Sequence, residues 1–195
     1  MKKIFVIGAI GGGKTTFCKM LEEQLTEMGY AAVGIDLDVI ALALSKNPKV
    51  QKQICEEFGE YDTREDLAKL VFHDIEALTR LNQITHPYIY EQMKKNLKNY
   101  EEMGTDFVVV EETAYSGKND KFAAHADVLV CVICDDGLRQ ARCIEKGLPL
   151  VDFTQRNSLQ VSQIAMMENA DFIINNNNDA EALKQKAKEV IESLL

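Results

Sequence analysis

Residues Gly8 to Thr16 read GAIGGGKTT, and their types and spacing suit the binding of a polyphosphate. Gly8, four further residues, then Gly13, Lys14 and Thr15 satisfy the pattern GxxxxGK[ST]. Glycines let the backbone turn tightly and come close to an anion, on which the loop amides and the positive end of a following helix converge. Lys14 would add a point charge at the β and γ oxygens, and the Thr15 hydroxyl could ligate Mg²⁺. The dinucleotide pattern GxGxxG fails, because aligning it on Gly11 and Gly13 puts Thr16 where the third glycine belongs.

A second set of residues carries acid, base and cationic chemistry. Asp36 and Asp38 follow the apolar run Tyr30 to Ile35, and if the chain stays extended there the two carboxylates share one side. Either could instead cap a helix. Glu111 and Glu112 follow the run Thr105 to Val110, where an acid can orient Mg²⁺-bound water. Arg139 and Arg142 fall on one helical segment and Arg156 on the next, around a turn with Gly147 and Pro149. Guanidinium groups so placed suit a lid that closes over a triphosphate, and they equally suit a solvated surface. His86 precedes Pro87 at an apparent helix start, as a cap, a packing residue or a ligand-binding group.

The elements that must position these groups alternate strand and helix. An apolar run, Ile4 to Ile7, leads into the glycine loop, and Lys14 to Met28 has helical spacing that ends at Gly29. Further strands are expected at residues 30–35, 105–110, 127–135 and 171–174, with helices at 137–146, 154–169 and after the four asparagines Asn175 to Asn178, which are expected to turn the chain and cap the last helix. The pattern implies an α/β fold with a five-stranded parallel sheet, whose ligands gather beyond the carboxyl ends of the strands. Between the second and third strands, Pro48 to Met103 is helical throughout, with breaks at Gly59 and Pro87. More than an ordinary crossover needs, this stretch is the candidate acceptor-binding insertion, spanning residues 39–104. Its lysines, such as Lys46, Lys52 and Lys94, could hold an anion, although charges at helical spacing belong on a solvated face. Its arginines are Arg64 and Arg80. The polar segment Thr113 to Asp120, with Gly117, is expected to move.

Composition narrows the function further. The 195 residues are 46% hydrophobic and 27% charged, as in an ordinary globular chain. A net charge of −9 argues against nucleic acid or anionic membrane as a partner. No stretch approaches the roughly 20 apolar residues of a membrane span, so a cytoplasmic location is expected. The start MKKIFVIGAI runs into a glycine loop and Lys14 where a signal peptide would have its cleavage site, and reads as a core strand. The five cysteines are expected to be free thiols. Cys131 and Cys134 form a CxxC within DVLVCVICD, which reads as core strand because there is no second pair to complete a zinc site. No glycine has an aspartate three residues before it and no NKxD occurs, which argues against a GTPase switch.

In this order, the motifs resemble the dephospho-CoA kinase family of P-loop, adenylate-kinase-like small-molecule kinases. GAIGGGKTT is similar to that family's loop, GIDLDVIA to its acidic motif and LNQITHPYI to its helix with His-Pro. RQARCIEK resembles its lid helix, RNSLQ its Arg-x-x-x-Gln element and ADFIINNN its last strand. The resemblance implies transfer of phosphate from ATP to the ribose 3′-hydroxyl of dephospho-CoA, in the last step of coenzyme A synthesis. It implies that Gly8, Gly11, Gly12, Gly13, Lys14, Thr15 and Thr16 bind ATP together with Arg142 and Asn176, with Thr15 on Mg²⁺, which Glu111 is also expected to serve from its place at a strand end. It further implies Asp38 as the base, with Asp36 and His86 near the acceptor, and lid helices over residues 137–168. The family usually has arginine at Leu42, a Pro-Leu-Leu run at Glu111 to Thr113 and a second lid arginine at Lys146. Another P-loop nucleotide or metabolite kinase, or a catalytically silent ATP-binding module, stands beside this reading.

Overall fold

The computed structural model describes residues 1–71, 74–113 and 115–195, excluding the side chains of residues 64 and 65. Arg64 as a candidate cation therefore lies outside the described side chains. Five strands, β1 (Lys2–Ile7), β2 (Ala32–Asp36), β3 (Phe107–Glu111), β4 (Val128–Ile133) and β5 (Phe172–Asn175), form one parallel sheet in the order β2-β3-β1-β4-β5. The central strands are continuous apolar runs because helices cover both faces. On β1, Ile4 and Val6 pack toward one face and Phe5 and Ile7 toward the other, all four fully buried.

One face is covered by α1 (Lys14–Glu27) and α9 (Ala180–Leu194). Phe17, Leu21 and Leu25 of α1 sit at helical spacing and are fully buried against Val109 and Val130. Truncating such a leucine to alanine costs about 2–5 kcal/mol. The other face is covered by α2 (Leu37–Leu44) and by α5 (Ile75–Glu102), whose Ile89, Met93 and Leu97 repeat every four residues against the sheet. The first half of α5 instead joins α3 (Pro48–Phe58) and α4 (Arg64–Val71) around a satellite core of Val50, Ile54, Val71 and Ala77. The helices α6 (Asp136–Glu145), α7 (Leu150–Leu159) and α8 (Gln163–Met167) lie between β4 and β5 in the chain.

Several local expectations change. Helix α5 starts at Ile75, capped by Asp74, and runs through Pro87 without a break, so His86 is in mid-helix rather than at a helix start. Tertiary packing on two cores outweighs the one backbone bond that proline cannot donate. The segment expected as one helix over 154–169 is two, because Ser162 caps a new start at α8 through the amide of Ala165. The last helix is capped by Asp179, not by the asparagines. Asn177 instead exchanges two 2.8 Å hydrogen bonds with Asp135, joining the carboxyl ends of β4 and β5. The 115–120 segment is held by Asp120, which is buried and accepts from the amides of Ser116, Phe122 and Ala123.

Cys131 and Cys134 are both buried, and all five cysteines are free thiols. Among the described residues no cluster of three acids, histidines or cysteines could hold a metal, and no helix is long and apolar enough to cross a membrane.

Candidate active site

The glycine loop between β1 and α1 is shaped by contacts that no side chain could share. Gly13, the residue before α1, has φ +99°, and a Cβ there would overlap the amide of Asn176. Gly11, at φ +74°, would bring a Cβ within 2.5 Å of the Arg139 carbonyl oxygen and 2.9 Å of the Cys143 sulfur. The loop is thus pressed against α6 and the end of β5, with its amide-rich opening at the start of α1. Three side chains fasten it. Asn176 Nδ2 donates to the Gly12 carbonyl at 2.8 Å, the Ile10 amide donates to Gln160 Oε1 at 2.8 Å, and Arg139 donates to the Ile10 carbonyl at 3.0 Å.

Lys14 is buried at the foot of the loop. Its ammonium donates to the carbonyl oxygens of Gly8 at 2.9 Å and Ala9 at 3.5 Å. Burial lowers its pKa, and the neighbouring carboxylates Glu111, Asp38 and Glu112 act in the opposite direction. A phosphate group brought to the loop would supply the same compensation more directly. Thr15 Oγ1 donates to Glu111 Oε1 at 2.7 Å. Glu111 ends β3, in register with Val6 of β1 and Asp36 of β2, so three strand ends meet beside the loop. Burial raises the Glu111 pKa, while Thr15 and Lys14 pull it down and Asp36 and Asp38 push it up. This buried acid among other acids, hydrogen-bonded to the loop hydroxyl, suits a divalent cation that completes its shell with phosphate and water.

Asp36 and Asp38 do not share a side. Asp36 is the N-cap of α2, its Oδ1 accepting from the amides of Asp38 at 2.8 Å and Val39 at 3.2 Å. Because the helix begins at once, Asp38 sits on its first turn and turns into a cleft of about 600 Å³ that Lys14 also lines. Asp36 is a cap and is absent from the cleft wall. His86 lines the cleft and meets the Phe122 ring edge-on at 5.5 Å between centroids. Its pKa is lowered by burial, with Asp120 opposing. Of the insertion's lysines only Lys46 is on the cleft wall, while Lys52, Lys69, Lys94 and Lys98 pair with neighbouring acids on exposed helix faces. The far wall is apolar, with Ile54, Leu67, Leu78 and Leu81.

The two arginines of α6 part company. Arg139, expected on a lid, is 2% exposed, with bonds to Ile10, to Asn157 at 2.9 Å and to Asp136 at 2.6 Å. It cannot reach a phosphate, because its face of the amphipathic α6 is the buried one. Arg142 is half-buried and donates to the Asn176 carbonyl at 3.1 Å and the Cys134 sulfur at 3.3 Å. Arg142 and Asn176 are absent from the wall of the cleft that holds Asp38 and His86.

Thr113 had received no role from the sequence, and it lines the cleft with Glu112, Arg156 and Gln160, the last of which also fastens the loop tip. The i,i+4 spacing of Arg156 and Gln160 was a usable signal, since it puts both on one face of α7.

The match to known proteins is extensive. The dephospho-CoA kinase family model matches residues 3–182. A dephospho-CoA kinase of Aquifex aeolicus is 29% identical, with 100% of this chain and 98% of that protein covered. A solved structure from Thermus thermophilus superposes with a TM-score of 0.76 at 25% identity, covering 100% of this chain and 98% of that one. The fold is also that of a dephospho-CoA kinase from Campylobacter jejuni, at a TM-score of 0.65 and 22% identity over 100% of this chain and 98% of that one. With a five-stranded parallel P-loop kinase sheet and a family match over nearly its whole length, the chain belongs to the dephospho-CoA kinase family.

Proposed function

We propose that this chain transfers the terminal phosphoryl group of ATP to the ribose 3′-hydroxyl of dephospho-CoA, giving CoA and ADP. The observation that carries the reading is the single cleft shared by Lys14 of the phosphate loop and Asp38 of α2. One wall offers a fixed cation for the phosphates and the other a carboxylate for a hydroxyl. The apolar extension toward Ile54 and Leu81 suits an acceptor with a long, partly apolar arm.

In the reaction, the 3′-oxygen bonds to the γ-phosphorus as the bond to the β–γ bridging oxygen breaks and ADP leaves. The hydroxyl proton passes to Asp38. Lys14 stabilises charge on the phosphoryl oxygens, the loop amides fix the β-phosphate, and Arg142 on α6 closes from the side of Asn176 when the lid, α6 to α8, comes down. Thr15 and Glu111 would hold Mg²⁺, which would supply charge neutralisation for the phosphates. His86 packs against the acceptor as a neutral ring. A location in the cytoplasm, where ATP and dephospho-CoA meet, fits this role.

The test is CoA formation from ATP and dephospho-CoA by the purified protein, followed by mass spectrometry beside a panel of nucleoside and metabolite acceptors. CoA should be the preferred product, and Lys14→Ala should abolish its formation. Preference for another acceptor would assign the chain a different substrate, and ATP binding without transfer to any acceptor would leave it a silent module.

A further inference from the structure

We propose that Thr113 is a positioning residue for Asp38, holding the carboxylate in the orientation that receives the acceptor's proton. The inference rests on the reading of Asp38 as the base. Thr113 Oγ1 donates to Asp38 Oδ1 at 2.9 Å, across 75 residues of sequence and from a different strand end. The backbone of Asp38 is meanwhile fixed by its amide bond to Asp36 at 2.8 Å. Main chain and side chain are thus held from two directions, Asp36 at the end of β2 and Thr113 just after β3. A carboxylate turns freely about its last torsion unless something engages one oxygen. The Thr113 bond engages Oδ1 and leaves Oδ2 for the substrate hydroxyl.

The same short segment also controls the phosphate side. Glu111, two residues earlier, accepts from Thr15 at 2.7 Å, and the intervening Glu112 amide donates to the Val6 carbonyl at 3.0 Å. One three-residue strand end, anchored to β1, therefore carries both the loop hydroxyl and the base. Its registration sets the span between donor and acceptor, and misplacing the reacting groups by about 1 Å can cost on the order of 100-fold in rate.

The experiment compares Thr113→Val, which keeps shape and removes the donor, with Thr113→Ser, which restores it, and repeats Thr113→Val in an Asp38→Asn background. We expect Thr113→Val to lower kcat for dephospho-CoA about tenfold with the ATP KM within about twofold of the parent. Thr113→Ser should recover most of the rate. In the Asp38→Asn background Thr113→Val should change kcat less than about twofold, because a residue that acts through Asp38 has nothing left to act on. Thr113→Ala carries the same expectation if the valine variant does not fold. Parent-like kcat in Thr113→Val, or an equal loss with and without Asp38, overturns the positioning role. The two readings fail separately: parent-like turnover by Asp38→Asn removes the base reading, whereas collapse of Asp38→Asn beside a parent-like Thr113→Val removes only the role of Thr113.

Discussion

The Thr15 hydroxyl and the Glu111 carboxylate hold each other at 2.7 Å, binding the phosphate loop to the end of the strand beside it. Glu111 is kept above the usual carboxylate range first by burial. An acid whose pKa is raised on folding costs nothing below its unfolded value and destabilises increasingly as pH rises through its folded value. Glu111→Gln keeps an acceptor for Thr15 and removes the charge. It should therefore melt higher than the parent at neutral pH without ligand, the gain shrinking as pH falls into the ordinary carboxylate range. The same variant should need more Mg²⁺ to reach half-maximal turnover. Melting curves from acid to neutral pH and a Mg²⁺ titration of ADP formation check both halves. A pH-independent melting change would show that the charge of Glu111 is not what strains the site.

Arg139 and Arg142 are three residues apart and should fail differently. Arg139→Ala leaves the loop carbonyl of Ile10 and the Asn157 amide oxygen without their donor, so it should cost about 2–3 kcal/mol in urea unfolding. Arg142→Ala should cost about 1 kcal/mol or less in stability and lower kcat about 10²-fold, with ATP affinity changed far less. Reversal of the two phenotypes would mean that Arg139 is the lid residue after all.

Gly13→Ala meets two obstacles, a left-handed backbone and the Asn176 amide. Strain of about 1–2 kcal/mol from the backbone alone is expected, together with loss of ATP binding in calorimetric titration. Adding Asn176→Ala should recover part of the melting temperature by removing the overlap. It should not recover ATP binding, since the backbone strain remains and Gly12 loses its 2.8 Å tether. Full recovery of binding would show that the left-handed turn is dispensable.

How legible the site was in the sequence depended on the range of the interactions. The loop, the five strands and most of the helical stretch among the described residues of 48–103 follow from local pattern, and each of these elements stands within a few residues of its expected place. Asp36 and Asp38 show the limit. Their spacing is the same in a strand or a helix start, and only the capping bonds from Asp36 decide which carboxylate enters the cleft. Arg139 and Arg142 differ by which face of α6 is buried, and that depends on where the loop tip lies, far away in sequence. Thr113 was unreadable for the same reason. Its partner is 75 residues away, and a threonine after a strand carries no local sign of such a bond.

Asp38 is proposed to take the proton of an acceptor hydroxyl beside the loop where Lys14 would hold the phosphates. Asp38→Asn keeps the shape and the Thr113 bond while removing the basicity. The most direct measurement is CoA formed in a single turnover of ATP and dephospho-CoA by this variant, against the parent and Asp36→Asn. Asp38→Asn should bind ATP normally and lose about 10²- to 10⁴-fold in the transfer step. Asp36→Asn should lose less, in keeping with a cap worth about 1 kcal/mol. Parent-like CoA formation by a folded Asp38→Asn protein would show that Asp38 is not the base.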